Sequence, residues 1–151
     1  MVATTLRIYL ALLILAFAST TCHADCFDAA AKVHHVSPTV LRAIAKVESG
    51  NDPRAVNRNR NGTVDLGMMQ INSIHLRELK KYGVKRKDLM NECKNIYTGA
   101  WLLRRKMDAH GNNWKAVGAY HSETPKFRRQ YAKLVEKQVD RMEAVRIMAS
   151  N

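Results

Sequence analysis

The chain lacks the sequence signals of several common functional classes. Apart from the adjacent pair His34 and His35, its histidines are far apart, and no candidate residues have metal-ligand spacing, so we predict no metal site. No glycine-rich loop follows a predicted strand, which excludes a phosphate-binding loop, and we predict no cofactor. Aromatic residues make up only 7% of the 151 residues and form no cluster, so the chain lacks the stacking platform of single-stranded nucleic-acid binders.

No apolar run is long enough to cross a membrane. The longest, residues 8–18, is shorter than the roughly 20 residues that span a bilayer. It follows Arg7 and precedes a small-x-small site that ends at Ala24, which is the pattern of a secretory signal. We therefore predict that residues 1–24 are a cleaved signal peptide, and that the mature chain is periplasmic, with no transmembrane segment.

Cysteine is scarce, with three residues in the whole chain. Signal cleavage removes Cys22 and leaves Cys26 and Cys93, an even pair in an exported chain, so we predict a disulfide between them. Such a bond contributes on the order of 2 to 4 kcal/mol. Two unrelated buried thiols are the alternative. Acylation of Cys22 is a further alternative, although Thr21 is not the small residue that a lipoprotein signal has before its cysteine.

Acidic residues are also scarce, with 13 against 25 basic residues and a formal net charge of +12. The charge predicts a polyanionic neighbour. An exported protein meets the anionic cell wall and membrane surface rather than nucleic acid, so we predict no nucleic-acid partner. The alternative is that the cations lie on solvated helix faces, because many alternate with apolar positions, as in residues 80–87 and 128–137.

The mature chain of 127 residues is long enough for one domain, and most of it has helical periodicity. Caps and apolar spacing predict helices over residues 26–35, 38–48, 73–82, 94–107, 113–120 and from 125 onward. Residues 51–72 differ, because they are rich in asparagine and then alternate locally, which predicts a small β-hairpin or irregular β-loop. The predicted fold class is mainly α (α+β).

Glu48 is the most informative residue of the sequence. It closes the helix that Ser37 and Pro38 begin, and it lies about 20° from the direction of Leu41, so it continues the apolar stripe. A carboxylate there faces the interior or a cleft. Lost hydration and the negative end of the helix dipole both raise its pKa, which favours a general acid near neutral pH.

Three short elements follow each other in the order and spacing of one enzyme family. They are Glu-Ser at residues 48–49, Gly-x-Met-Gln at residues 67–70 and Ala-Tyr at residues 119–120. Together they make residues 26–131 resemble the lytic transglycosylases with a lysozyme-like fold. The resemblance is greatest to the small exported members associated with type III and type IV secretion, conjugation and type IV pili. Residues 57–73 also resemble the same region of c-type lysozymes.

The resemblance implies a lysozyme-like helical catalytic domain over residues 25–125 and a C-terminal helix over residues 126–151 that packs on the domain or extends it. It implies peptidoglycan glycan strands as substrate and a protein partner in a secretion, conjugation or pilus apparatus. Glu48 would protonate the glycosidic oxygen between N-acetylmuramic acid and N-acetylglucosamine. It would then take a proton from the muramic C6 hydroxyl, which closes a 1,6-anhydro ring without water.

The remaining site residues are assigned by the same resemblance. Tyr120 would place its hydroxyl near Glu48. The sugar-binding cleft would be lined by Ser49, Gly67, Met69, Gln70, Ala119 and His121. Met68 is expected in the core, because one of two successive residues faces away from the cleft. For Ser49, a local backbone hydrogen bond is an equal alternative. His121 departs from the family, many members of which have Asn there.

Asp65 leaves the reaction open. It matches the second catalytic carboxylate of c-type lysozymes, so a muramidase that hydrolyses the same bond with Glu48 and Asp65 is the alternative function. Asp65 also suits charge stabilisation in a transglycosylase, or a structural role in the hairpin. A non-enzymatic basic binding protein of the assembly is the third candidate.

Overall fold

The computed structural model describes residues 25–150. The predicted signal peptide, residues 1–24, lies outside the described residues. Six α-helices follow in chain order: α1 Cys26–His34, α2 Pro38–Ser49, α3 Leu76–Leu79, α4 Glu92–His110, α5 Trp114–His121 and α6 Pro125–Ala149. Three short 3-10 helices cover Ser73–His75, Lys80–Tyr82 and Arg86–Met90. Within the described range, none of the helices has the length and apolar character needed to cross a membrane. The predicted fold class is confirmed.

Local chemistry explains where the first two long helices begin and end. The side chain of Asp25 accepts a hydrogen bond from the backbone N–H of Phe27 at the start of α1. Ser37 caps α2 in the same way, and Pro38 occupies its first turn. Helix α2 stops at Gly50, whose φ of 68° is a left-handed conformation that glycine adopts without strain. Its catalytic candidate therefore lies in the last turn.

A small antiparallel sheet follows α2 in the chain. Strands β1 Val56–Arg58, β2 Val64–Leu66 and β3 Ile71–Asn72 pair in that order. The sequence predicted a hairpin, and a third short strand completes the sheet.

The register of the sheet brings polar side chains together across its three strands. Asn57 pairs with Asp65, which in turn pairs with Asn72. Because paired residues point to the same face of a sheet, these three polar side chains share one face.

The core forms around α4, which packs against α1 and α5. Its buried positions include Ile96, Ala100, Leu103 and Met107, which have the spacing of one helix face. Helix α6 packs against α5 and α2, and it buries Tyr131 and Val135. The end of α2 is thereby covered by the C-terminal helix.

The predicted disulfide is confirmed. Cys26 opens α1 and Cys93 lies in the first turn of α4, with 5.3 Å between their Cα atoms and a sequence separation of 67. This separation lies in the range that a disulfide requires. The bond fixes the start of the domain to its central helix.

Candidate active site

Glu48 lies in the last turn of α2 and faces a polar cleft of about 500 Å³. Burial raises its pKa to about 7, although a hydrogen bond from Tyr131 opposes the rise and the charge of Asp65 adds to it. The Tyr131 hydroxyl donates to Glu48 Oε1 at 2.6 Å. A carboxyl with this pKa exchanges its proton near neutral pH, as a group that acts first as acid and then as base must.

Asp65 lies in the same cleft, on the central strand of the sheet. Its Oδ1 accepts a 2.6 Å hydrogen bond from Asn72 Nδ2, and its Oδ2 accepts a 2.8 Å bond from Asn59 Nδ2. Both amides also donate to the hydroxyl of Thr63, at 3.1 Å each. Asp65 therefore holds the hairpin together, which is the structural role that the sequence left open, and its oriented carboxylate also lines the cleft.

Tyr120 lines the cleft with Glu48, but its hydroxyl donates to the backbone carbonyl of Met69 at 2.9 Å. Burial raises the pKa of Tyr120 well above its usual value, and the charges of Glu48 and Asp65 raise it further. The hydroxyl that reaches Glu48 belongs to Tyr131, in the last helix, which was not predicted from the sequence as a site residue. A buried tyrosine needs a partner for its hydroxyl, but the sequence has no signal that identifies that partner.

The side chain of Ser49 forms hydrogen bonds with backbone groups. Its hydroxyl donates to the carbonyl of Met68 at 2.8 Å and accepts from the N–H of Asp52 at 3.0 Å. Among the described residues, the lining of the cleft does not include Ser49. The structure thus places it according to the backbone alternative, and it joins the end of α2 to the turn at residues 67–70.

Met69 and Gly67 also lie outside the cleft lining of the described chain. The Met69 side chain is fully buried and packs against Gly99. Gly67 has a φ of +71°, and a Cβ there would overlap Asn95 and the carbonyl of Leu89. Both residues shape the turn rather than contact its solvent side, which corrects the expectation that they line the cleft. Met68 is buried as well, because a turn does not alternate faces as a strand does.

Gln70 is the residue of this turn that reaches the cleft. It adopts a left-handed φ of 48°, and its N–H donates to the carbonyl of Gly67 at 3.0 Å. Its side-chain Nε2 donates to the same carbonyl at 2.8 Å. The turn is therefore closed twice, and the side chain that closes it forms part of the cleft wall.

Ala119 and His121 are in the cleft lining, as the resemblance implied. Ala119 is buried, whereas His121 is exposed. The His121 ring stacks on the ring of Tyr131, with 4.8 Å between centroids and 4° between planes. His121 therefore contacts the tyrosine that holds Glu48.

Several residues of the site were missed at the level of sequence. Asn95, fully buried in α4, donates to the carbonyls of Leu66 and Leu89 at 2.8 Å each and accepts from the N–H of Met69 at 2.7 Å. One amide thus satisfies three backbone groups around the turn. The cleft lining also includes Asn57, Asn59, Asn72, His75, Lys106 and Glu123. An asparagine within a helical pattern was the available signal for Asn95.

No group of His, Cys, Asp or Glu side chains among residues 25–150 has the arrangement of a metal site. The cleft offers the carboxyl of Glu48, with a pKa of about 7, and that of Asp65, held by two amides. A third carboxyl in its lining, that of Glu123, is paired with Lys106.

Comparisons with known proteins agree with this geometry. The family described as Transglycosylase SLT domain matches residues 25–141. The chain is 42% identical over 120 residues to Invasion protein IagB of Salmonella typhimurium, a match that covers 76% of this chain and 75% of that protein. It is 39% identical over 115 residues to Protein IpgF of Shigella flexneri, covering 75% and 76%, respectively.

The fold is also similar to a solved structure. The X-ray structure of an inactive mutant of lytic transglycosylase Slt from Pseudomonas aeruginosa superimposes with a TM-score of 0.62 at 20% sequence identity. The match covers 80% of this chain and 24% of that longer chain. At this identity the likeness establishes the fold alone, a lysozyme-like architecture over the matched part of the chain.

Proposed function

Since the chain belongs to the transglycosylase SLT domain family and is a peptidoglycan lytic transglycosylase, we propose that it cleaves the β-1,4 bond between N-acetylmuramic acid and N-acetylglucosamine and leaves a 1,6-anhydro end. The observation that carries the proposal is Glu48, with a pKa of about 7, held by Tyr131 in a polar cleft that Asp65 shares. Glycosidic bond cleavage needs a proton donor of this kind.

In the first step, protonated Glu48 gives its proton to the glycosidic oxygen. The bond between that oxygen and C1 of the muramic residue breaks, and its electron pair stays on the leaving oxygen. In the second step, the Glu48 carboxylate removes the proton of the C6 hydroxyl, and O6 forms a bond to C1. Glu48 ends protonated, no water is consumed, and the glycan end is the anhydro sugar.

Tyr131 assigns the two oxygens of Glu48 their roles. Its hydroxyl donates to Oε1 at 2.6 Å, so Oε2 is the oxygen that holds and transfers the proton. A donor to the carboxylate stabilises the charged form and keeps the pKa of the buried group near neutrality. Without this bond, burial and the charge of Asp65 would both raise the pKa of Glu48, and no hydrogen bond from Tyr131 would lower it.

Asp65 would stabilise the positive charge that develops at C1 while the leaving group departs. Its carboxylate is oriented by Asn59 and Asn72 before substrate binds, so little reorganisation is needed at the transition state. Hydrolysis by a muramidase is the second candidate, because two carboxylates in one cleft also suit a retaining hydrolase. The observation that favours it is the position of Glu48 and Asp65 in the lining of the same cleft.

Digestion of purified peptidoglycan separates the two reactions. Wild type, Glu48→Gln and Asp65→Asn are each incubated with the same sacculi, and the released muropeptides are weighed by mass spectrometry. A transglycosylase gives products lighter by one water than the hydrolysis products. We expect anhydro products from wild type and none from Glu48→Gln. Products of hydrolytic mass would establish the muramidase, and full activity of Glu48→Gln would refute the role of this residue.

We also propose that the enzyme acts in the periplasm, where it opens the wall locally for a secretion, conjugation or pilus apparatus with which it has a protein partner. The Cys26–Cys93 disulfide supports an oxidising compartment. The relative from Salmonella is named an invasion protein. Fractionation of cells that produce the full chain tests the location: we expect the mature chain, without residues 1–24 and oxidised, in the periplasmic fraction. A reduced, uncleaved chain in the cytoplasm would contradict the proposal.

A further inference from the structure

A second concave surface lies apart from the catalytic cleft and consists of two neighbouring grooves. The larger, of about 510 Å³, is lined mainly by Leu79, Tyr82, Tyr97 and Trp101. The smaller, of about 290 Å³, lies between Leu76 and Arg86. Gly83 and Val84 line both grooves and separate them, and neither groove shares a lining residue with the cleft. We call the two grooves and residues 80–87 the basic groove face.

Aromatic side chains form the wall of the larger groove. Tyr82 is 68% exposed and contacts Trp101 edge to face, with 5.8 Å between ring centroids. His34 and Tyr97 meet in the same way at 6.2 Å. An exposed tyrosine beside a tryptophan in an apolar groove leaves apolar area in water that a partner's side chain would cover. Tyr82 is therefore available as an anchor point.

The rim of these grooves carries an excess of positive charge, and Asp88, an acidic residue that lines the larger groove, is paired with Lys94. Residues 80–87 contain Lys80, Lys81, Lys85, Arg86 and Lys87 and no acidic residue. All five side chains are exposed, and within the described chain none of them joins an ion pair. The next residue, Asp88, is already bound by Lys94 Nζ at 2.6 Å and by the backbone N–H of Lys85 at 2.8 Å.

We propose that the basic groove face binds an acidic, amphipathic peptide segment of a partner protein. Apolar side chains of the segment would fill the two grooves, and its carboxylates would lie against residues 80–87. This proposal rests on the proposed function, because it assigns a surface to the protein partner of that function. Charge complementarity favours an acidic ligand. Grooves lined mainly by carbon favour apolar side chains over glycan, which presents hydroxyl, acetamido and carboxylate groups.

Selection from a displayed library of random peptides tests the surface without assuming a partner. Peptides of about 16 residues are long enough for four helical turns, and they are selected on the folded mature chain in the presence of a chitin oligosaccharide that occupies the cleft. We expect enriched peptides with acidic residues and regularly spaced apolar residues. Their affinity is then measured by fluorescence anisotropy, and we expect it to fall as salt increases.

Two kinds of variant locate the binding. Tyr82→Ser removes one aromatic side chain from the wall, and the pair Lys81→Glu and Lys85→Glu lowers the formal charge of residues 80–87 from +5 to +1. Each should weaken binding about tenfold or more. The pair Lys133→Glu and Lys137→Glu makes the same change of charge on exposed positions of α6, and it should leave affinity within about twofold. All variants should release muropeptides as wild type does, because none of these residues lines the cleft.

The proposal is overturned if no peptide is enriched, if enriched peptides lack acidic residues, or if the Tyr82 and rim variants bind as tightly as the control pair. It is also overturned if the rim variant loses binding only to anionic vesicles or to soluble peptidoglycan strands, because the face would then serve a membrane or the wall. Peptide binding and muropeptide release are separate readouts. Loss of release with retained peptide binding would therefore refute the proposed function and leave this surface standing.

Discussion

The hydroxyl of Tyr131 lies 2.6 Å from Oε1 of Glu48, although 83 residues separate the two in sequence. The contact exists because α6 packs across the end of α2 and buries Tyr131 there. The C-terminal helix thus completes the acid site instead of only covering the core. The hydrogen bond from Tyr131 opposes the effect of burial on the pKa of Glu48. Without this bond, the pKa would rise above its value of about 7.

Replacing Tyr131 with Phe should raise the pKa of Glu48 above its value of about 7, because the variant loses the donor that stabilises the carboxylate. A hydrogen bond to a charged group is worth about 1.5 to 3 kcal/mol. The basic limb of the pH profile for muropeptide release should therefore move to higher pH, and the rate at the wild-type optimum should fall about tenfold.

The matched control is Tyr97→Phe, which removes a tyrosine hydroxyl outside the cleft. It should leave the pH profile unchanged. A Tyr131→Phe enzyme with the wild-type profile would show that this hydrogen bond does not tune Glu48.

Glu48 should also make the folded protein less stable as pH rises. Its folded pKa of about 7 lies above the ordinary value of 4.5, so between these values the folded state binds more protons than the unfolded state. The free energy of unfolding therefore falls as pH increases from 4.5 through 7. At about 1.4 kcal/mol for each tenfold difference in proton affinity, the loss reaches at most about 3 kcal/mol.

Glu48→Gln isolates this effect, because glutamine does not titrate. Urea unfolding at pH 4.5 and pH 8 should show nearly equal stabilities for wild type and variant at the lower pH and a more stable variant at the higher pH. Equal stabilities at both pH values would mean that the carboxyl carries no raised pKa in the folded state.

The position of Glu48 was within reach of sequence analysis, whereas its partner was not. The angular position of Glu48 relative to Leu41 put the carboxylate on the apolar side of α2. This inference depends only on residues within the same helix. The angle at which α6 crosses α2 decides which hydroxyl reaches it, and no local pattern encodes that angle. Tyr120 and Tyr131 both point toward the interior of the domain. The packed structure shows that the Tyr120 hydroxyl binds the carbonyl of Met69 and that the Tyr131 hydroxyl binds Glu48.

The turn at residues 67–70 shows a second limit of local patterns. The resemblance implied that Met69 lines the cleft, and alternation predicted that Met68 faces the core. Both side chains are buried, because the segment is a turn with Gln70 at a φ of 48°. The family motifs nevertheless meet at this turn. Ser49 binds the carbonyl of Met68, and Tyr120 binds that of Met69. Three residues of the family motifs, Ser49, Gly67 and Met69, therefore shape the backbone of the site, and the other four line the cleft.

Asn95→Leu should strongly destabilise the protein, because the buried amide satisfies three backbone groups at once. Each unsatisfied buried group costs about 1 to 3 kcal/mol, so we expect a loss of roughly 3 kcal/mol or more. Thermal unfolding measures it. Thr98→Val is the control in the same helix: its hydroxyl binds only the carbonyl of Lys94, one turn away, and the loss there should be about 1 kcal/mol. Equal losses would show that the amide network adds nothing beyond one local bond.

His121 should act on Glu48 through Tyr131, because its ring stacks on the tyrosine that donates to the carboxylate. Removing the ring in His121→Ala frees the Tyr131 side chain on its solvent side. We expect the basic limb of the pH profile to move in the same direction as in Tyr131→Phe, with a rate loss of about threefold. His121→Phe keeps a stacked ring and should retain the wild-type limb.

A double-variant cycle decides whether this pathway is real. If His121 works through the Tyr131 hydroxyl, then adding His121→Ala to Tyr131→Phe should cost almost nothing further, because the bond that the stack supports is already gone. Additive losses would show an independent role for His121. A change in KM with an unmoved pH limb would assign the ring to sugar contact in the cleft that it lines.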